Sequence, residues 1–473
     1  MLPTSSLVRL HPGDGHFLAH IDLSHPNKEV SLVSATADPQ PNLKRAITAA
    51  AIGNFITWFD YATYGFLAIV IGNLFFPSGN PAVSLLASFA VFGVALLMQP
   101  VGAFLFGSLG DKLGRKTILA TVVILMSGAT ATVGLLPTYD SVGILAPILL
   151  LVVRCIQGIA GGGEPGGAAT FLVESARRDR RARTVSFWHS SSYFANIAAS
   201  LLILGMHATL SHEQMYSWGW RIPFLIAAPI GIVGLFIRLK LSDTPEFENM
   251  KEHGELSDSP IREVLTKYRR QVLQVIGCGA FQYAVYYFVN IYMETYIKSQ
   301  LNLSDTAASM STVMALGTAC VAIFAFARIS DRIGRKPVLY IATVLAVVTT
   351  LPVLMMINSG SVPLALIGHI LLALPMAMFM AASGAALVEI FPPRVRYSGF
   401  SIGFNVAGAV FGGSLAYLAT LLIEVTGSPM SPSILLSTAV LALIAVSKME
   451  ETVPNSTQTE RDDLARTKIR ATE

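Results

Sequence analysis

Long apolar runs separated by short polar segments make up most of this chain. Runs of about 20 hydrophobic residues recur about a dozen times, and a helix of that length crosses the ~30 Å hydrocarbon core of a bilayer. The pattern predicts an all-α membrane protein with twelve transmembrane helices. We place them at 46–74, 83–109, 117–136, 143–173, 184–207, 220–239, 273–297, 306–328, 337–357, 361–390, 397–423 and 430–448.

The composition agrees with a membrane protein and gives no sign of an enzyme. The chain has 473 residues, of which 53% are hydrophobic and 13% charged, whereas soluble domains carry about 25% charged residues. Its net charge of +4 does not indicate nucleic-acid binding, because the basic residues lie in the connections between helices. No His, Cys, Asp or Glu cluster has the spacing for a metal or a nucleophile. We therefore expect no catalytic residues, no metal and no cofactor.

Lysine and arginine predict the orientation of the helices. They occupy every second connection between the helices. The remaining connections contain no Lys or Arg, except for Lys298. Because basic residues favour the cytoplasmic side, both termini are expected in the cytoplasm. The basic connections are 110–116, 174–183, 238–270, 328–336 and 394–396.

A repeated motif predicts that the membrane part consists of two similar halves. Gly-Asp-Lys-Leu-Gly-Arg-Lys at 110–116 returns as Ser-Asp-Arg-Ile-Gly-Arg-Lys at 330–336, an offset of 331 − 111 = 220 residues. Internal repeats of this kind are typical of transporters with a site between two helical bundles. The expected domains are a cytoplasmic tail with little regular structure (1–45), a six-helix bundle (46–239), a cytoplasmic linker (240–272), a second six-helix bundle (273–449) and a cytoplasmic tail (450–473).

The repeated turn predicts a gate at the cytoplasmic side. Its aspartates can face the N-terminus of a neighbouring helix, and its arginines can bridge to carboxylates. Two glutamates, one at the end of helix 4 and one at the end of helix 10, can pair with arginines. The alternative for any single basic turn is a lipid-headgroup anchor. The predicted gate residues are Asp111, Arg115, Glu174, Asp331, Arg335 and Glu389.

Several motifs resemble the major facilitator superfamily and, within it, the metabolite:proton symporters. They are Trp58-Phe59-Asp60, the turn at 107–116, Arg154-x-x-Gln157-Gly158, Trp218-Gly219-Trp220-Arg221 and the segment 391–396. The resemblance covers roughly residues 46–450. It implies two six-helix bundles related by a pseudo-two-fold axis, alternating access and proton-driven uptake in the cell inner membrane. It also implies a small-molecule substrate, a proton and the lipid bilayer as partners, without nucleic acid or an obligate protein partner.

Three charged residues lie far from the ends of the predicted spans: Asp60, Arg154 and Glu164. Such residues cost several kcal/mol in a membrane and are candidates for the transport path. In the resembled fold helices 1 and 4 line the central cavity, so we expect Asp60 to meet one of the other two charges across it. All three residues are expected to take part in proton coupling. A static ion pair that fixes helix packing is the alternative.

The expected substrate cavity departs from the family pattern. Relatives commonly have Glu and Arg where this chain has Thr57 and Gln99. The loss of the cation favours a monocarboxylate or a zwitterion over a tricarboxylate. The full set of expected cavity residues is Asn54, Thr57, Gln99, Tyr283, Tyr287 and Asn290.

The leading prediction is a proton-coupled importer of a small organic acid or osmolyte. An exporter of a metabolite or toxic compound with the same fold is the alternative, because direction depends on the gradients. An ATP-driven pump is disfavoured, since the chain has no Walker-type loop. The sequence determines neither the substrate, nor the proton stoichiometry, nor the oligomeric state.

Overall fold

The computed structural model describes residues 5–10, 17–22, 30–34, 40–300, 305–412, 415–428 and 430–453. Their contacts divide the chain into two units, Met1–Lys44 and Arg45–Glu473. In this described part, nine helices are long and apolar enough to cross a membrane, and a bent pair of helices forms a tenth span. Two more candidate spans consist of shorter helical pieces, at 396–426 and 431–447. The second unit is therefore all-α and fits the twelve spans that the sequence predicted.

The N-terminal bundle contains six spans joined by short connections. The first span is bent by 69° at Leu67, where α1 gives way to α2; the sequence pattern predicted one continuous helix there. The elements are α1 (Gln40–Phe66), α2 (Ala68–Phe75), α3 (Pro81–Leu113), α4 (Arg115–Leu135), α5 (Tyr139–Val142), α6 (Leu145–Ser175), α7 (Arg181–Thr209), α8 (His212–Gln214) and α9 (Arg221–Leu239).

The linker and the C-terminal bundle follow. Two short helices, α10 (Pro245–Glu252) and α11 (Pro260–Lys267), each begin with a proline, which fits the first turn of a helix because it needs no N–H partner there. The later elements are α12 (Arg269–Tyr287), α13 (Met293–Gln300), α14 (Asp305–Ile333), α15 (Arg335–Ile357), α16 (Val362–Glu389), α17 (Arg396–Phe411), α18 (Leu415–Thr426) and α19 (Thr438–Ser447). A π-helical turn at Phe288–Tyr292 joins α12 to α13.

The first unit differs from the expected tail. It contains an antiparallel sheet of β1 (Ser5–Leu10), β2 (Phe17–Asp22) and β3 (Val30–Ser34), in that order. The three segments are rich in Leu and Val and are separated by stretches rich in Gly, Pro, Asp and Asn. Such a pattern is typical of hairpins, and the expectation of little regular structure overlooked it. Of the expected C-terminal tail, residues 454–473 lie outside the described part.

The repeated turn is almost entirely helical, which corrects the predicted loop at 110–116. The helix α3 continues to Leu113 and α4 begins at Arg115, so one glycine forms the whole connection. Gly114 has φ +104° and its counterpart Gly334 has φ +106°. Residues other than glycine rarely adopt this conformation, so each glycine is required by its turn.

The glycine-rich part of α6 lets helices approach closely. A Cβ atom added to Gly162 would lie 1.9 Å from the backbone oxygen of Gln99 on α3, and one added to Gly158 would lie 2.2 Å from that of Ala95. Small residues at helix interfaces allow such contacts in membranes. The same segment contains Pro165, directly after Glu164. The helix α6 therefore packs closely on α3 at the level where it carries a carboxylate.

Candidate functional site

The two bundles meet at the end of the molecule where the arginine-rich connections lie, which we call the basic end. Asp111, in the last turn of α3, accepts hydrogen bonds from the first backbone N–H groups of α17. The distances are 2.9 Å to the nitrogen of Ser398 and 3.3 Å to that of Tyr397. These N–H groups have no partner within their own helix. The contact therefore joins a helix of one bundle to a helix of the other.

Asp331 makes the reciprocal contact. It lies in the last turn of α14 and accepts hydrogen bonds from the backbone nitrogens of Ala182 at 3.0 Å and Arg183 at 3.2 Å, at the start of α7. The guanidinium of Arg183 also lies 2.9 Å from this carboxylate. Each bundle thus supplies one aspartate to the N-terminus of a helix in the other bundle.

Buried ion pairs continue the first contact. Arg115 lies 3.2 Å from Glu174 and donates a hydrogen bond of 2.6 Å to the carbonyl of Pro393. Glu174 also lies 3.2 Å from Arg396 at the start of α17. The carboxylate of Glu174 is therefore shared between an arginine of its own bundle and one of the opposite bundle.

The second half repeats these pairs with small differences in distance. Arg335 lies 2.8 Å from Asp331 and 3.4 Å from Glu389. Glu389 is also 3.5 Å from Arg181, at the start of α7. Glu246 of α10 joins the two sets of ion pairs, since it lies 3.2 Å from Arg181 and also pairs with Arg396. All six predicted gate residues therefore belong to one network that joins the two bundles at the basic end.

Besides Glu246, the sequence analysis missed two acidic residues of the network. Asp243, just after α9, accepts hydrogen bonds from the backbone nitrogens of Arg115 at 3.1 Å and Lys116 at 3.3 Å. It thereby satisfies N–H groups in the first turn of α4. Burial raises the pKa of the Asp243 carboxyl, although the hydrogen bond from the Thr244 backbone N–H acts in the opposite direction.

Glu451, just after α19, has the same role at the start of α15. Its carboxylate accepts hydrogen bonds of 2.9 Å from the backbone nitrogens of both Arg335 and Lys336. The signal in the sequence is a short echo after the last helix of each half, Ser-Asp-Thr-Pro at 242–245 and Glu-Glu-Thr-Val at 450–453. The echo extends the internal repeat beyond the membrane helices.

Asp60 and Arg154 form an ion pair inside the N-terminal bundle. Their side chains are fully buried and 2.7 Å apart. Gln157 donates hydrogen bonds to Asp60 at 2.8 Å and to Thr130 of α4 at 2.9 Å, and the guanidinium of Arg154 lies 3.8 Å from the ring centroid of Tyr64. Neither charge lines the central cavity. The predicted meeting of Asp60 with Arg154 is therefore confirmed, but its predicted place across the cavity is wrong, because the pair lies inside the N-terminal bundle.

Glu164 lies apart from this pair and lines the central cavity. Its carboxylate is buried and accepts a hydrogen bond from the indole nitrogen of Trp188 at 3.2 Å. It also interacts electrostatically with Arg238 of α9, a buried cation that the sequence analysis did not identify. Arg238 itself donates hydrogen bonds to the carbonyls of Leu119 and Ala49.

The central cavity lies between the two bundles, and helices of both bundles line it. Its free volume is about 40 Å³, which holds a few water molecules, so one end must open before a larger solute enters. The lining residues are Asn54, Thr57, Trp58, Tyr61, Leu96, Gln99, Gly161, Glu164, Pro165, Trp188, His189, Ser192, Gln282, Tyr283, Tyr286, Tyr287, Met380 and Phe404.

Five of the six expected cavity residues are in this lining, and Asn290 is not. Asn290 is buried near the π-helical turn, which changes the helical register after Phe288 and turns the next residues away from the face that Tyr283 and Tyr287 share. Tyr61 was missed; it accepts a hydrogen bond of 2.9 Å from Gln99.

Aromatic rings from both bundles form much of the cavity wall. Trp58 and Tyr286 have ring centroids 4.8 Å apart, and Tyr283 and Phe404 are 5.0 Å apart. The lining contains one carboxylate and no Lys or Arg side chain among the described residues. Aromatic faces beside a carboxylate attract cations, whereas an anion would meet no Lys or Arg side chain in this lining.

Comparisons with known proteins agree with this architecture. The family model described as "Sugar (and other) transporter" matches residues 46–264, and the one described as "Major Facilitator Superfamily" matches residues 275–471. The "Proline/betaine transporter" of Escherichia coli (strain K12) is 35% identical over 436 residues, 90% of this chain and 87% of that protein. The "Glycine betaine/proline/ectoine/pipecolic acid transporter" of Dickeya dadantii (strain 3937) is 34% identical with the same coverage.

Solved structures of low sequence identity share the fold. The proton:xylose symporter XylE bound to 6-bromo-6-deoxy-D-glucose superposes with a TM-score of 0.75 at 15% identity, covering 88% of this chain and 97% of that one. Its inward open conformation gives a TM-score of 0.59 at 17% identity, covering 87% and 97%. The two family-model matches and the 35% identity to a proline/betaine transporter over 90% of the chain show that the chain belongs to the major facilitator superfamily.

Proposed function

We propose that this protein is a proton-coupled symporter that imports a small zwitterion of the proline or betaine type by alternating access. The similarity to proline/betaine transporters supports this substrate class. The membrane is the cell inner membrane, and the basic end, with both termini, faces the cytoplasm. The basic residues in alternate connections support this orientation.

The composition of the cavity is the observation on which the substrate class rests. A zwitterion brings a cationic and an anionic group at once. Glu164 and the faces of Trp58 and Tyr286 suit the cation, because carboxylates and aromatic faces both attract positive charge. The amide of Gln99 and the hydroxyl of Tyr283 suit the substrate carboxylate. A monocarboxylate has no cationic group to compensate the charge of Glu164. The cavity therefore favours a zwitterion over a monocarboxylate.

Asp60 is the group we propose to carry the proton, with Arg154 as its partner. The pair lies directly behind Tyr61, the next residue along α1, whose hydroxyl is part of the cavity wall. Protonation of Asp60 neutralises one member of a buried pair and leaves Arg154 without its counter-charge. A movement of α1 on substrate binding changes the distance between Asp60 and Arg154. Substrate binding is thereby coupled to the charge on Asp60. Glu164 acts as the partner of the substrate cation.

Alternating access requires the network at the basic end to break when that end opens. In this structure both aspartate contacts are formed, so the cavity is closed toward the proposed cytoplasm. Opening must separate Asp111 from α17 and Asp331 from α7. The two contacts are equivalent, which is consistent with two bundles that rock about the cavity as rigid bodies.

Uptake into proteoliposomes tests this function. Labelled proline and glycine betaine are offered with and without an imposed proton gradient, with citrate as a comparison substrate. We expect gradient-driven accumulation of the zwitterions. Asp60→Asn should abolish gradient-driven accumulation but retain exchange of substrate across the membrane at equilibrium. Glu164→Gln should weaken both.

Asp140→Asn is the matched control, because Asp140 is exposed in the short helix α5 at the opposite end. It should behave like the wild type. Uptake that ignores the proton gradient would refute the coupling, and a clear preference for citrate would refute the substrate class. Wild-type accumulation by Asp60→Asn would remove Asp60 from the mechanism.

A further inference from the structure

A groove lies outside the transport path, between the last turns of α3 and the short helix α11. It is open to the surroundings and has a free volume of about 560 Å³. Two cations face it, Lys112 from α3 and Arg262 from α11, together with several hydroxyl groups and apolar side chains. The full lining is Ser108, Lys112, Ser259, Ile261, Arg262, Leu265 and Thr266.

The two cations are exposed, and neither forms an ion pair with a carboxylate of the described chain. The nearest acidic residue on α11, Glu263, is already engaged by Arg394 at 2.8 Å and Lys267 at 3.7 Å. The repeated turn at 110–116 thus places its charged side chains on two different helix faces. Asp111 and Arg115 are buried in the gate, whereas Lys112 points outward into the groove.

The groove continues an apolar stripe on the outer face of α3. Val101 and Leu105 are 49% and 48% exposed on this spanning helix, and their spacing places them on the same helix face as Ser108 and Lys112. Leu265 is 47% exposed and adds an apolar group from α11. An acyl chain along the stripe would bring its headgroup to the two cations.

The groove also connects the two bundles. Lys112 belongs to the N-terminal bundle, whereas α11 is held to the C-terminal bundle by the ion pair between Glu263 and Arg394. The repeat gives a natural comparison: Arg332 is the counterpart of Lys112, since 332 − 112 = 220, and is exposed on α14. The described chain supplies no helix equivalent to α11 beside it, because the linker occurs once.

We propose that this groove, which we call the α3–α11 groove, binds the headgroup of an anionic phospholipid. The phosphate lies between Lys112 and Arg262, and an acyl chain follows Val101 and Leu105. A lipid held in this way bridges the two bundles and stabilises the closed basic end. The proposal depends on the membrane fold and not on the proposed substrate or proton coupling.

Native mass spectrometry of the purified full chain, ejected from bilayer nanodiscs, tests the site. Nanodiscs of phosphatidylcholine contain a graded fraction of phosphatidylglycerol, and the apparent affinity for retained phosphatidylglycerol is measured. Each juxtamembrane cation contributes enough to change this affinity about 5-fold. We expect that loss for Lys112→Gln and for Arg262→Gln, and about 25-fold for the double variant.

Arg332→Gln is the control, since it removes the same charge at the equivalent position without a groove. It should retain the wild-type affinity, and Lys112→Arg should do so as well. Equal losses in Arg332→Gln would mean that surface charge alone attracts the lipid, and would overturn the site. Unchanged affinity in the double variant would also overturn it. Displacement of the lipid by millimolar inorganic phosphate would assign the groove to a soluble phosphate instead.

Discussion

The carboxylate of Asp111 accepts the backbone N–H of Ser398 across the interface between the two bundles, at a distance of 2.9 Å. The donor belongs to the first turn of α17, so the bond exists only while α3 and α17 are adjacent. Asp331 repeats the contact at the start of α7. The stability of the closed basic end therefore depends on two helix caps whose acceptors come from the opposite bundle.

Replacement of Asp111 by Ala should favour opening at the basic end, because alanine has no acceptor for the two backbone N–H groups of α17. A capping carboxylate contributes about 0.5–2 kcal/mol, because it meets both unpaired N–H groups and the positive end of the helix dipole. The ratio of open to closed molecules should therefore rise about 2- to 30-fold. Distances between spin labels on α3 and α17 measure this ratio. Lys112→Arg in the same turn keeps its charge, so it is the control and should not change the ratio.

The ion pair between Asp60 and Arg154 should show strong non-additivity in stability. Removing one member of a buried pair leaves the other charge unpaired and costs about 3–5 kcal/mol. Arg154→Gln should thus lower the thermal midpoint markedly. The double variant with Asp60→Asn should recover most of that loss, since no uncompensated charge remains.

Thermal unfolding in detergent, followed by intrinsic fluorescence, measures the three variants side by side. Losses that simply add would argue against a direct interaction of the two side chains. The distance of 2.7 Å and their complete burial lead us to expect a large coupling energy.

A methyl group at Gly162 should disrupt the packing of α6 on α3. The added Cβ would lie 1.9 Å from the backbone oxygen of Gln99, and backbone cannot move aside as a flexible side chain can. Overpacking in a dense interior costs about 1–3 kcal/mol or more. Gly205→Ala on α7 is the matched control, because nothing lies within 4 Å of its added Cβ.

The control should be neutral or slightly stabilising, since alanine favours a helix over glycine. Folded yield after purification and the thermal midpoint are the measurements. Equal behaviour of the two alanine variants would contradict the close contact of α3 and α6.

Trp58 should contribute more to the binding of a quaternary ammonium substrate than of proline. Its ring lies 4.8 Å from that of Tyr286 in the cavity wall, and a cation–π contact contributes about 0.5–2 kcal/mol. Trp58→Leu should raise the KM for glycine betaine about 2- to 30-fold. Trp58→Phe keeps an aromatic face and should raise it less. A KM unchanged by Trp58→Leu would place the ammonium group elsewhere.

Much of the membrane architecture follows from the sequence because helix spacing and charge placement are local properties. An apolar run of about 20 residues must satisfy its backbone internally, so it becomes a spanning helix whatever surrounds it. The repeated motif at Asp111 and Asp331 also indicated two similar halves. The strands at the N-terminus were overlooked because a polar, turn-rich stretch resembles a tail.

The partners of the buried charges did not follow from the sequence. Asp60 and Glu164 both lie inside apolar spans, and nothing in the local pattern says which one faces the cavity. The answer depends on the rotation of α1 and α6 about their axes. That rotation is set by the neighbouring helices that pack against the glycines of α6. Arg238 was overlooked for a related reason, since a basic residue at the end of a span usually reaches solvent.

The sequence by itself determined the membrane class, the alternation of basic connections and the doubling of the chain, because each is encoded in the order of residues along one segment. Only the tertiary structure decided that Asp111 meets α17 and not α7, that Asp60 pairs within its own bundle, and that Lys112 faces a groove. Those contacts join residues up to 287 positions apart. Their formation depends on how the helices pack, and packing depends on the shapes of many side chains at once.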